Sequence, residues 1–165
     1  MGQQQLLLVI LVTIIVGIAT VVAINIFGSA ADQANRDAVR QDLMGASVQA
    51  QAIWSRPILM GGANRNFQGT HITVDEITQR LGIPGIITNN GVANENGNYL
   101  VTIEAPEAIQ VEATPGSGGG TMVMEVRFFQ DCGWGVQIVD NSTNQTSSSG
   151  CGFDGADPEP PAGGD

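Results

Sequence analysis

Apolar positions fill the first part of the chain and then thin into a stripe. From Leu6 to Phe27 the sequence is almost unbroken Leu, Ile, Val and Ala, and no charged residue occurs from Met1 to Ala31. Such a run predicts a helix that is apolar on every side and long enough to cross a bilayer, which takes about 20 residues. Beyond it, Val39, Leu43, Ala46, Ala50 and Ile53 recur at spacings of four, three, four and three. That is a heptad-like stripe on an amphipathic helix. Asp32 and Arg36 stand at the favourable i, i+4 spacing for an ion pair. Pro57 and Gly61-Gly62 end the pattern, so the helix stops near Arg56. If continuous from Gln3, it would be about 80 Å long at 1.5 Å per residue. The stripe is either the face on which the chain's own head packs or a seam for a neighbouring helix.

The remainder reads as a mixed head. Residues 56–98 are mostly loop, with one short helix from Val74 to Leu81. Thr73-Val-Asp-Glu76 has the spacing of a capping box, and Leu81-Gly82-Ile83-Pro84 is a helix stop. Asn89-Asn90-Gly91 and Asn94 to Asn98 are turn material. Four strand runs follow: Tyr99–Glu104, Ala108–Ala113, Thr121–Phe129 and Trp134–Val139. In the second, Ile109, Val111 and Ala113 alternate with Gln110 and Glu112. Short Gly/Pro connections argue for antiparallel pairing. The expected fold is α+β, with the long N-terminal helix packed on an antiparallel sheet of about four strands. Asn141 to Gly150 reads as an exposed loop. It contains two glycosylation triplets, Asn141-Ser-Thr and Asn144-Gln-Thr, which loop composition alone also explains. The expected divisions are a core or membrane helix over 1–31, its amphipathic continuation over 32–56, the head over 57–154, and a mobile acidic tail over 155–165.

Composition narrows the classes. The 165 residues carry a formal net charge of −10, and every Lys/Arg position is an Arg. An acidic head excludes the cationic footprint that nucleic acid requires, so no nucleic-acid partner is expected. The cysteines, Cys132 and Cys151, sit in Gly-rich contexts without a CxxC pair or a His cluster. They read as one disulfide if the head lies outside the cytoplasm, and otherwise as two free thiols.

The apolar run lacks the basic n-region of a secretory signal, and it is longer than a usual h-region. Arg36 and Arg40 follow the run, so the positive-inside rule would keep the head in the cytoplasm. The disulfide reading and the Ser/Thr/Asn-rich head favour the outside.

The start of the chain resembles type IV pilins and the related secretion pseudopilins. Gly2 directly precedes Gln3-Gln4-Gln5-Leu6-Leu7-Leu8, as a prepilin cleavage glycine would; a long apolar helix turning amphipathic follows, then a pilin-sized head with two late cysteines. The resemblance implies cleavage between Gly2 and Gln3 by a prepilin peptidase. It further implies residence in the inner membrane before assembly, an assembly machinery, and a cell-surface filament of identical subunits. Leu6, Leu7, Leu8, Leu11, Ile14, Ile15, Gly17, Ile18, Val21 and Val22 would then form the filament-core helix. Pilins usually carry a glutamate soon after the cleavage point, and this chain has no acid before Asp32. A Gln3 amino terminus could become uncharged by cyclising to a lactam.

No catalytic set, cofactor site or metal site emerges. The single histidine, His71, precedes the capping Thr73, and Asp75-Glu76 fits the charge preference of a helix start. Asp131 beside Cys132 lacks clustered ligands, and Gly118-Gly119-Gly120 lacks the Lys-Ser/Thr of a phosphate loop. The expected role is a non-enzymatic structural subunit polymerising through its apolar helix. The alternative is a single-pass, membrane-anchored extracytoplasmic binding domain or a secretion pseudopilin.

Overall fold

The structure is a computed structural model describing residues 2–89 and 91–153. The tail expected over 155–165 lies outside the described residues. Helix α1 spans Gly2–Ser55. The chain divides into two compact units, Met1–Ala34 and Asn35–Asp165. The first is helical. The second contains the end of α1, helix α2 (Val74–Arg80) and an open, seven-stranded sheet.

The strands are β1 (Ile86–Thr88), β2 (Gly91–Ala93), β3 (Gly97–Ala105), β4 (Ala108–Pro115), β5 (Met122–Phe129), β6 (Gly133–Asp140) and β7 (Gln145–Gly150). Each pairs antiparallel with the next, giving a meander in sequence order. The α+β class stands, but seven strands replace the expected four. The four long runs are β3 to β6. The others, β1 and β2, have three residues each, too few for an alternation to register. Strand β7 falls in the segment expected to be a loop. All six of its residues are exposed, so no hydrophobic alternation marks it. Its pairing with β6, from Gly135↔Gly150 to Asp140↔Gln145, makes it a strand.

The second half of α1 packs on the sheet. All five stripe residues, Val39, Leu43, Ala46, Ala50 and Ile53, are buried, as is Trp54. They meet the inward positions of the sheet, including Tyr99, Val101, Val111, Met122, Met124 and Ile138, in one core. The outward positions Leu100, Thr102, Glu104 and Glu112 are exposed. This period-two alternation lets β3 and β4 bury one face under the helix.

Local chemistry sets the ends of both helices. In α2 the capping box forms: the Glu76 amide donates to Thr73 Oγ1 at 3.3 Å, and the Thr73 amide donates to Glu76 Oε2 at 2.9 Å. The Thr73 amide holds the Glu76 carboxyl below its ordinary value. Leu81 caps the C-terminus, and Gly82 follows at φ 73°, the left-handed position that glycine takes without cost. At the end of α1 the chain folds back. The amides of Ala63, Arg65 and Asn64 donate to the carbonyls of Ile53, Trp54 and Arg56. Asn64 and Arg65 both take positive φ to do this.

Candidate functional site

In the first unit, α1 is apolar all round. Leu6, Leu7, Leu8, Leu11, Ile14, Ile15, Ile18, Val21 and Val22 are each 50–70 % exposed. Residues 6–27 rise roughly 33 Å at 1.5 Å each, enough to match a hydrocarbon core of about 30 Å. The helix is therefore long and apolar enough to cross a membrane. Its hydroxyls do not obstruct that environment. Thr13 donates to the Ile10 carbonyl and Thr20 to the Val16 carbonyl, each at 2.8 Å. Such back-bonding satisfies a hydroxyl where water is absent. Gly17 has no heavy atom within 4 Å of where a Cβ would stand, so the space beside it is open. Gly2 and Gln3 are the first two residues of the helix.

In the second unit, two polar anchors tie α1 to the head. Arg36, which the sequence pairs with Asp32, turns instead to Asp140 at the end of β6. Its Nη1 donates to both carboxylate oxygens, at 2.9 and 3.0 Å, and to Ser142 Oγ, while Nη2 donates to the Gly119 carbonyl at 2.6 Å. Asp140 is buried. Burial pushes its carboxyl up, but the Ser142 hydroxyl and amide, then Arg36, outweigh burial and hold it well below the usual carboxylate range. The second anchor is Asp42. Its Oδ2 accepts from the Tyr99 hydroxyl at 2.6 Å, Asn96 Nδ2 at 3.0 Å and Asn94 Nδ2 at 3.2 Å. Tyr99 is buried, and that burial, then the Asp42 carboxylate, pushes its phenol above its ordinary value. These partners lie 52 to 57 positions away from Asp42 and 83 to 106 from Arg36, so no local motif announces them.

At the far end of the head, Cys132 and Cys151 form a disulfide with Cα atoms 5.8 Å apart, in the usual range. It joins the β5–β6 turn to the residue after β7. Beside it, the Phe153 ring meets Phe129 edge-on at 5.5 Å. Trp54, Phe128 and Trp134 form an aromatic cluster, with centroids 4.6 to 5.4 Å apart. The Arg65 guanidinium lies 5.5 Å from the Trp54 ring centroid. A cleft of about 680 Å³ opens here, lined by Trp54, Arg65, Arg127 and Phe129 among others. Sequence reading missed this cleft, because its walls come from four separate stretches of chain, at Trp54, Arg65, Glu107 and Arg127 to Asp131.

The remaining chemistry-bearing residues stay apart. His71 Nε2 is 3.0 Å from the Ala63 carbonyl, in the loop that closes α1. Asp131 is an exposed residue of the β5–β6 turn. Among the described residues, no three His, Cys, Asp or Glu side chains gather as metal ligands would.

Fold and site together define a class: an apolar N-terminal helix whose second half carries an antiparallel α+β head closed by a late disulfide. The arrangement is consistent with a pilin-like fold. The chain matches no known family, no curated protein and no solved structure.

Proposed function

We propose that this protein is the structural subunit of a type IV pilus-like filament at the cell surface, polymerising through residues 6–27. The carrying observation is the exposure of the large apolar residues of that segment, 48–74 % each, in a helix with no polar face. A helix hydrophobic all round requires lipid or a protein core around it. Lipid supplies this to the unassembled subunit in the inner membrane. Sister helices supply it in the filament, where one repeated heterologous contact builds an open polymer. The internally satisfied Thr13 and Thr20 suit both settings. The disulfide supports an extracytoplasmic head, since such bonds persist in oxidising compartments. A prepilin peptidase acting between Gly2 and Gln3 and a dedicated assembly machinery complete the reading.

Electron microscopy of sheared cell-surface material tests it. The expected result is filaments containing this chain, lost in Leu11→Arg or Ile15→Arg while the head still folds. Normal filament yield from either variant would refute core packing. Membrane-retained monomers without filaments, in the unmutated protein, would favour a single-pass anchored domain instead. Short filaments confined to the periplasm would favour a pseudopilin.

A further inference from the structure

The turn that follows α1 presents the most exposed large apolar side chain among the described residues. Leu59 is 99 % exposed and Met60 74 %, on a single 3-10 turn, Ile58–Met60. The turn is held by its own backbone. The Met60 and Gly62 amides donate to the Pro57 carbonyl at 3.0 and 3.1 Å, and the Gly61 amide donates to the Ile58 carbonyl at 2.8 Å. A tip fixed in this way loses little freedom on docking. Two cations flank it: the Arg80 guanidinium lies against Gly61, and the Arg56 stem lies against Gly62. Both arginines are exposed, and neither has a carboxylate within ion-pair distance among the described residues. Glu76, four residues before Arg80, is taken up by the Thr73 cap.

A second surface has the matching character. A groove of about 660 Å³ opens at the sheet edge formed by β1, with Pro84, Ile86 and Ala93 as apolar walls and Glu95 beside them. Ile86 is 76 % exposed, and Glu95 is exposed without an ion pair among the described residues. An uncovered apolar edge strand invites pairing with another chain.

We propose that the Ile58–Met60 tip of one copy docks in the β1 groove of a second copy, with Arg56 and Arg80 facing Glu95. Charge complementarity selects this occupant. The tip is apolar with cations at its sides, the groove is apolar with a carboxylate, and both stand on a chain of net charge −10 whose other surfaces would mostly repel Glu95. Distance excludes the same molecule. Asn94 and Asn96, at the groove, are hydrogen-bonded to Asp42, whereas the tip follows Ser55, and from Asp42 to Ser55 α1 rises about 20 Å. A lipid surface would take the apolar tip but leave the groove and Glu95 without a partner. The contact joins two different patches, so it repeats along an open chain of copies. The choice of a second copy rests on the filament reading above, to which it adds a contact between heads.

Cysteine cross-linking, in filaments and in membranes of the same cells, tests it on the full chain. Two chains are co-expressed, one Leu59→Cys and the other Ile86→Cys, and oxidised with copper phenanthroline. The expected product on non-reducing gels is the heterodimer, several-fold above either homodimer. Adding Glu95→Arg to the Ile86→Cys chain should lower its yield several-fold. Adding Arg56→Glu/Arg80→Glu to the Leu59→Cys chain should then restore it. Glu104→Arg, on the outward face of β3, should leave the yield unchanged. Filaments of normal yield without the heterodimer would overturn this contact and leave the polymer standing. A heterodimer in membranes without any filament would support the contact and count against the filament reading. A yield indifferent to Glu95→Arg would overturn the charge pairing and the proposal with it. A bimane label on Leu59→Cys quenched by nitroxide phospholipid, with no heterodimer, would assign the tip to lipid and overturn the copy-to-copy contact.

Discussion

The ion pair between Arg36 and Asp140 gives the sharpest test of how α1 is fastened to the head. The Asp140 side chain is only 3 % exposed and that of Arg36 15 %. Removing one partner of a buried pair strands the other charge, at a cost of about 3–5 kcal/mol. For Arg36→Ala the lower end applies, because Asp140 keeps its bonds from the Ser142 amide at 3.0 Å and hydroxyl at 2.7 Å. The expected loss is about 3 kcal/mol. Asp140→Asn should cost less, about 2 kcal/mol, since Arg36 retains the Gly119 carbonyl and partial contact with water. The double variant should cost less than the sum, because each single change leaves an unpaired group. Urea unfolding in micelles, followed by tryptophan near-UV circular dichroism, measures all three. The same pair fixes a pH dependence. The folded carboxyl is held below its unfolded value near 3.9, so its contribution is complete above that value. The contribution declines as pH falls through the acid range toward the folded value, and Asp140→Asn should flatten that decline. A cost for Arg36→Ala below about 1 kcal/mol, the scale of a surface pair, would refute the buried-anchor argument.

Tyr99 is the single tyrosine, so ultraviolet titration near 295 nm reads it alone. Its raised phenol should remain protonated in the folded protein at a pH where free tyrosine, near 10, is ionised; its share of stability is complete below that value and lost as pH rises through the folded one. A normal titration midpoint before unfolding would contradict the Asp42 anchor. For the disulfide, replacing both Cys132 and Cys151 by Ser releases a loop with a separation of 19 residues and should cost about 3 kcal/mol. An unchanged urea midpoint would show that the bond adds nothing to head stability.

The sequence by itself determined those elements whose cause is local. An uninterrupted apolar run specifies a helix without a polar face wherever it is placed. The spacing of Val39 to Ile53 fixes which face of α1 is apolar, and burial of all five residues follows that face. Thr73 and Glu76 lie three apart and cap the same helix turn, so α2 was legible from a four-residue motif. The strands β3 to β6 were legible because eight or nine residues suffice to show alternation. Tertiary structure decided what depends on distant partners. Strands β1, β2 and β7 exist through their neighbours' backbone groups, and β7 buries no side chain that could have marked it. The choice of Asp140 over Asp32 by Arg36 likewise needed the fold, since a buried, hydrogen-bonded carboxylate offers a guanidinium more than an exposed one a helical turn away. The cleft between Trp54, Arg65 and Phe129 needs the end of α1 beside the β5–β6 hairpin, because its lining is drawn from four separate stretches of chain.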